Sequence, residues 1–169
     1  MLILETLQVA SGLLPVDFAT SNAGARTGDF VSLRHYRRLA ILLFKDGGTA
    51  GEDVTLTIEQ AKDAAGTAIK PLLFDTIYRK QGSDLATVNS WTRTRQTAAN
   101  TYTNTTSAED ELIWVVEIPA ESLDSSNGYT HVRGSVNDVG TGAQLGCVLY
   151  LLSEPRYAAD PEQMMSGIA

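Results

Sequence analysis

Cysteine and histidine are almost missing from this 169-residue chain, which holds one cysteine, Cys147, and two histidines, His35 and His131. A single cysteine excludes an intramolecular disulfide framework. With two separated histidines and one thiol, a transition-metal site of the His/Cys type is not expected. Cys147 lies in an apolar run, where a free thiol behaves as a small core hydrophobe. There is no Gly-x-Ser-x-Gly elbow, so the serines lack the local setting of a hydrolase nucleophile. No apolar stretch approaches the ~20 residues that span a bilayer. The opening Met1-Leu2-Ile3-Leu4-Glu5 lacks the basic region of a secretory signal, so synthesis and folding in a cytoplasm are expected. An excess of cations is also missing: 13 Lys and Arg stand against 20 Asp and Glu, for a net charge of −7 and a pI near 4.7. Nucleic-acid binders need clustered cations to displace counterions from phosphates. Arg34-His35-Tyr36-Arg37-Arg38 is the one candidate patch, and arginines flanking a strand commonly solvate its edge or pair with carboxylates. Neither a nucleic acid nor a membrane is expected as partner.

What the chain does contain is strand pattern. Its apolar share of 43% and charged share of 20% are those of a globular domain. Arg38 to Lys45 is an apolar run bounded by charge, and 46–53 is rich in turn residues. Val54 to Gln60 then alternates apolar and polar with period two, which reads as a β-hairpin with the preceding run. Leu39–Phe44 is apolar at every position, as in a strand covered on both faces. Phe30–Leu33, Phe74–Arg79, Glu111–Ile118, Tyr129–Val136 and Ala143–Leu152 give further strands. Pro119 begins a single helical turn, and 124–128 supplies a tight turn. The pattern predicts an all-β fold, an antiparallel β-sandwich or jelly-roll-like barrel. Its parts are an extended N-terminal arm and loop over 1–29, a β-sandwich domain over 30–157, and a C-terminal tail over 158–169. A Thr-rich excursion over 82–108 carries a strand or two, with Trp91 and Tyr102 anchoring it to the core or to a neighbour.

Several stretches imitate chemistry and read as structure. Gly140-Thr141-Gly142-Ala143-Gln144-Leu145-Gly146 resembles a dinucleotide fingerprint, but a strand follows it where that motif opens a helix, so a hairpin turn is expected. Asp124 to Gly128 imitates a calcium loop, yet Ser135 stands where a bidentate Glu is required. Asn104-Thr105-Thr106 matches a glycosylation acceptor, which matters only in a secreted protein. Glu52, Asp53, Glu109, Asp110 and Glu111 sit at strand entrances, where acids serve as solvated gatekeepers unless a sugar cleft sets their separation. No catalytic residue, metal site or cofactor is assigned, and the chain is not expected to be an enzyme.

A resemblance adds to this reading. It runs through Tyr36-Arg37-Arg38 before Leu39-Ala40-Ile41-Leu42-Leu43, then Val54 to Asp63 with Ala65-Gly66-Thr67. It continues through Glu117-Ile118, Leu123-Asp124 and Asn127-Gly128-Tyr129-Thr130-His131-Val132-Arg133, and ends in Leu149 to Leu152 with Pro155-Arg156-Tyr157. Over about residues 30–157 the chain resembles small proteins of tailed bacteriophages found among the head genes. That resemblance implies a virion structural protein, a head decoration or cement protein of the capsid exterior. Such proteins are β-rich, commonly homotrimeric, and sit where major capsid subunits meet. No functional residue is carried over by it.

The residues themselves are compatible with a gripping part. An apolar arm of Leu2, Ile3, Leu4, Leu7 and Val9 and a tail with Met164, Met165 and Ile168 are expected to bury themselves in a neighbouring subunit. Each buried side chain of this kind contributes roughly 1.5–3 kcal/mol. Alternative readings are another phage part, at the neck or tail, and a carbohydrate-binding β-sandwich with Trp91, Tyr102 and Tyr129 as a stacking platform.

Overall fold

The computed structural model describes residues 3–19, 26–137, 139–157 and 160–168. Among these, eleven strands and five short 3₁₀ turns are found, with no α-helix. The strands are β1 (Leu7–Asp17), β2 (Val31–Ser32), β3 (Tyr36–Lys45), β4 (Thr55–Ala61), β5 (Lys70–Pro71) and β6 (Phe74–Gly82). They continue with β7 (Thr92–Ala99), β8 (Thr101–Thr103), β9 (Glu111–Pro119), β10 (His131–Val136) and β11 (Leu145–Pro155). The larger sheet has the order β1-β11-β3-β9-β6-β7, and the smaller one β2-β10-β4-β5 with β8 also on β4. All the pairings between these strands are antiparallel. The expected β-sandwich is therefore present, and its sheets do not close into a barrel.

The core lies between the sheets. Ile41 and Leu43 of β3, Trp114 and Val116 of β9, and Val148 and Tyr150 of β11 face Leu56, Ile58 and Val132 of the smaller sheet within one buried cluster. The sheets pack closely at Gly134, where a Cβ would stand 2.9 Å from Ile41. The Tyr150 hydroxyl accepts from Gly134 N at 2.9 Å and donates to the Asp29 carbonyl at 2.8 Å. A buried phenol thus finds both partners, and burial raises its pKa.

Three local expectations are corrected. The runs of β3 and β4 do not form a hairpin, because β3 pairs with β9 and β11 while β4 pairs with β10, β5 and β8. The 46–54 segment instead crosses from one sheet to the other; it is longer than tight hairpin loops of 2–5 residues. The glycine-rich loop with Gly140 and Gly142 is likewise no hairpin turn, since β10 and β11 lie in different sheets. The arm expected over 1–29 is, from Leu7 to Asp17, an edge strand of the larger sheet, registered on β11 from Leu7↔Ser153 to Asp17↔Leu145. The 82–108 excursion carries β7, the opposite edge of that sheet, and β8, which joins the other sheet.

Candidate functional site

The larger sheet buries its inner face, and its outer face is apolar across the central strands β11, β3 and β9. On the outer face the register aligns three cross-strand rows. Val9, Leu151, Ala40 and Glu117 form the first. Ser11, Leu149, Leu42, Val115 and Tyr78 form the second. Cys147, Phe44, Ile113 and Lys80 form the third. Val9, Phe44 and Leu145 are exposed, and Leu42, Val115, Ile113, Leu149 and Leu151 are half-buried. With strands ~4.8 Å apart, the face from β1 to β6 is about 20 Å wide. Its apolar centre is continuous across β11, β3 and β9, and contiguous apolar patches left on a surface mark interaction sites. Near the third row, Pro15, Phe44, Leu145 and Cys147 line a cavity of about 420 Å³.

The end of β3 sharpens the point. Phe44 faces out at 47% exposure while Lys45 is fully buried. Burial pulls the Lys45 amine down to about 8, against the attraction of Asp46, Asp110, Asp53 and Glu109. Its Nζ donates to the Asp46 carbonyl. An aromatic outside and a lysine inside reverse the usual order. On the smaller sheet the outer face is ordinary: Thr55, Thr57, Glu59, Arg133 and Ser135 occupy it. Arg133 and Glu59 pair across it at 2.8 Å.

The ends of the sandwich also differ. At the end that holds Lys45, carboxylates are used on the fold itself. Glu52 accepts from Thr141 N and Gly142 N, both at 2.8 Å. Asp53 accepts from Ser107 Oγ and Ala108 N, both at 3.2 Å. Glu111 accepts from Leu85 N at 2.8 Å, and Asp110 from Gln81 Nε2 at 3.0 Å. Asp17 accepts from Gln144 N and Ala19 N, which hold its carboxyl below the usual range. The acids at the strand entrances and the dinucleotide-like loop are thus parts of one set of loop fastenings. At the opposite end Arg34, Arg37 and Arg156 line a cavity of about 400 Å³.

The residues expected to bind a partner separate accordingly. Leu2 lies outside the described residues. Ile3 and Leu4 are exposed in a 3₁₀ turn ahead of β1, Leu7 is half-buried at its start, and Val9 sits on the outer face. Trp91 is half-exposed with Lys80 Nζ 5.4 Å from its ring centre, beside the same face. Two residues are taken up internally. Tyr102 is buried edge-on against Trp114, 4.7 Å between ring centres. Met164 is buried, and the tail is tied down where Gln8 donates to the Met164 carbonyl, Tyr36 to that of Met165 and Ser32 N to that of Gly167. Met165 remains exposed and Ile168 packs on the core. The tail therefore closes over its own domain. The Trp91, Tyr102 and Tyr129 platform is not assembled, since Tyr102 is interior and Tyr129 holds Lys70 over its ring at 4.1 Å.

No family model, curated protein or solved structure matches this chain. The surfaces themselves carry the functional argument. Among the described residues no group of His, Cys, Asp and Glu is placed to hold a metal ion. His131 is buried with Nδ1 2.9 Å from Thr130 Oγ1, and burial and then Arg34 lower its pKa. His35 stacks edge-on with Tyr157 at 6.2 Å. The outer sheet face was missed by sequence reasoning, although the continuous apolar runs of β3, β9 and β11 were its signal.

Proposed function

We propose that this chain is a structural virion protein that decorates a phage head by binding major capsid subunits. One observation carries the reading: a sheet whose central strands β11, β3 and β9 are apolar on both faces, of which the chain buries one. Strands apolar at consecutive positions belong to sheets covered on both sides. A partner that supplies the second cover would gain roughly 25 cal/mol for each Å² of apolar area removed from water. Copies on a symmetric shell would add avidity to that gain. The outward Phe44 and inward Lys45 favour this reading, because a chain evolved to remain alone would place them the other way round. The acidic balance of the chain suits a capsid exterior better than a surface lining packaged DNA. The resemblance to proteins of the head genes supplies the identity of the partner. Homotrimerisation belongs to the same proposal.

The test is sedimentation of the purified chain with and without phage head shells stripped of accessory proteins. Saturable co-sedimentation at a fixed ratio to capsid subunits is expected. A chain that stays in the supernatant at every shell concentration would overturn the proposal.

A further inference from the structure

We infer that the arginine-lined cavity at the open end of the sandwich is a binding site for an acidic peptide segment of a protein partner. Three chain segments build it. The β2–β3 connection and the start of β3 supply Arg34 and Arg37, Arg156 directly follows β11, and the turns after β9 supply Leu123 and Glu121. Leu33 N donates to the Thr130 carbonyl at 2.9 Å, and Arg156 N to that of His35 at 2.8 Å, so backbone bonds fix the walls.

The cations are unspent. Arg38, Lys70 and Arg133 each hold a carboxylate, on Glu154, Asp124 and Glu59. The guanidiniums of Arg34, Arg37 and Arg156 make no hydrogen bond or ion pair among the described residues. Glu121 is the single acid in the lining, so the cavity is positive within a chain of net charge −7. In such a chain, acids are abundant enough to pair every arginine, and they are used instead at the other end on backbone N–H groups.

The chemistry of the lining selects the ligand. Guanidinium forks match the planar geometry of a carboxylate in two parallel bonds. The floor is apolar, formed by the buried Leu33 and Leu123 with Ala120. A lone inorganic anion would leave that floor wet, whereas an aliphatic side chain flanked by Asp or Glu would use both parts. The volume of about 400 Å³ lies in the range of sites that enclose a ligand. A nucleic acid would meet the remaining negative surface of the chain on either side of so local a patch. That the segment belongs to a capsid subunit rests on the function proposed above; the preference for an acidic peptide does not.

The experiment is an amide NMR titration of the full chain with a blocked Asp-Leu-Glu-Leu-Asp peptide. Parallel titrations use its Asn/Gln counterpart, inorganic phosphate and a single-stranded DNA oligomer. Saturable shifts at Leu33, Ala120, Leu123 and Thr130 are expected with the acidic peptide alone. They should weaken about tenfold or more in the double variant Arg37→Glu, Arg156→Glu, at two exposed positions, with circular dichroism expected to match that of the natural chain. Equal binding by the neutral peptide, by phosphate, or by the double variant would overturn the inference, as would tighter binding of the DNA or no shift at these residues. Shell binding without peptide binding refutes this site and spares the proposed function; peptide binding without shell binding does the reverse.

Discussion

The two outer faces of the sandwich are built by the same backbone and differ in what they offer the outside. On the smaller sheet, β4 alternates strictly, so Leu56 and Ile58 go inward while Thr55, Thr57 and Glu59 meet water. On the larger sheet, β3, β9 and β11 are apolar on both sides, and Leu42, Phe44, Ile113, Val115, Leu149 and Leu151 remain as the outward set. An alternating strand needs one neighbouring layer; a continuous one needs two. The chain supplies one layer for each sheet. The difference teaches that the polar face is finished in the single chain and the apolar face is not.

The comparison breaks most visibly if charge is placed on the apolar face. Leu42→Glu with Val115→Glu should leave a folded chain and weaken shell binding by about a hundredfold or more, the loss of two buried apolar side chains. Thr57→Glu on the opposite face should change binding less than about twofold, because this position lies on the polar face, away from the apolar one. Co-sedimentation isotherms of the two variants provide the check.

The inverted step at the end of β3 comes next. Lys45 titrates near 8 in the fold and near 10.5 when unfolded. Between these values the unfolded chain binds more protons, so stability rises with pH across that window. Relative to Lys45→Met, the natural chain should gain about 1–3 kcal/mol between pH 8 and 10.5, read from urea unfolding at each pH. A flat difference between the two chains would show that Lys45 is not held in the interior.

Smaller effects belong to pairs outside the apolar face. Arg133→Ala should cost about 0.5–1 kcal/mol by removing the half-buried pair with Glu59, and leave shell binding unchanged. Asp124 is held at about 2 by Lys70, then by Asn127. Its folded pKa lies below the usual carboxylate value of 3.8, so its contribution is complete above that value and fades as the pH falls toward 2. Asp124→Asn should therefore flatten a slight acid-side loss of stability in the same urea measurements.

Much of this fold was legible in the chain. Alternation at Val54–Gln60 and the apolar runs around Leu43, Trp114 and Val148 placed the strands, since side chains alternate between faces every residue. Pairing was less legible. Nothing local distinguishes a nine-residue hairpin loop from a crossover, and the fastening of Glu52 onto Thr141 and Gly142 joins residues about ninety positions apart. The N-terminal arm was misread because Leu7 to Asp17 is irregular, its pairing with β11 shifting register between Ser11 and Leu13 and again before Val16. Tyr102 was open between the core and a neighbour because its threonine-rich surroundings are polar, and only the fold, by bringing Trp114 under it, decides for the core. The candidate surfaces needed the sheet order: it is the alignment of Leu149, Leu42 and Val115 across three strands that makes a face from separate runs.

Cys147 gives the most direct test, because the chain's one thiol lies on the outer face beside Phe44, half-buried and with its pKa raised by burial. Its alkylation rate should be measured on the free chain and on the chain incubated with stripped head shells. The shell should slow the reaction about tenfold or more as the second cover settles on this face. A shell-bound chain whose thiol reacts as fast as the free one would contradict it.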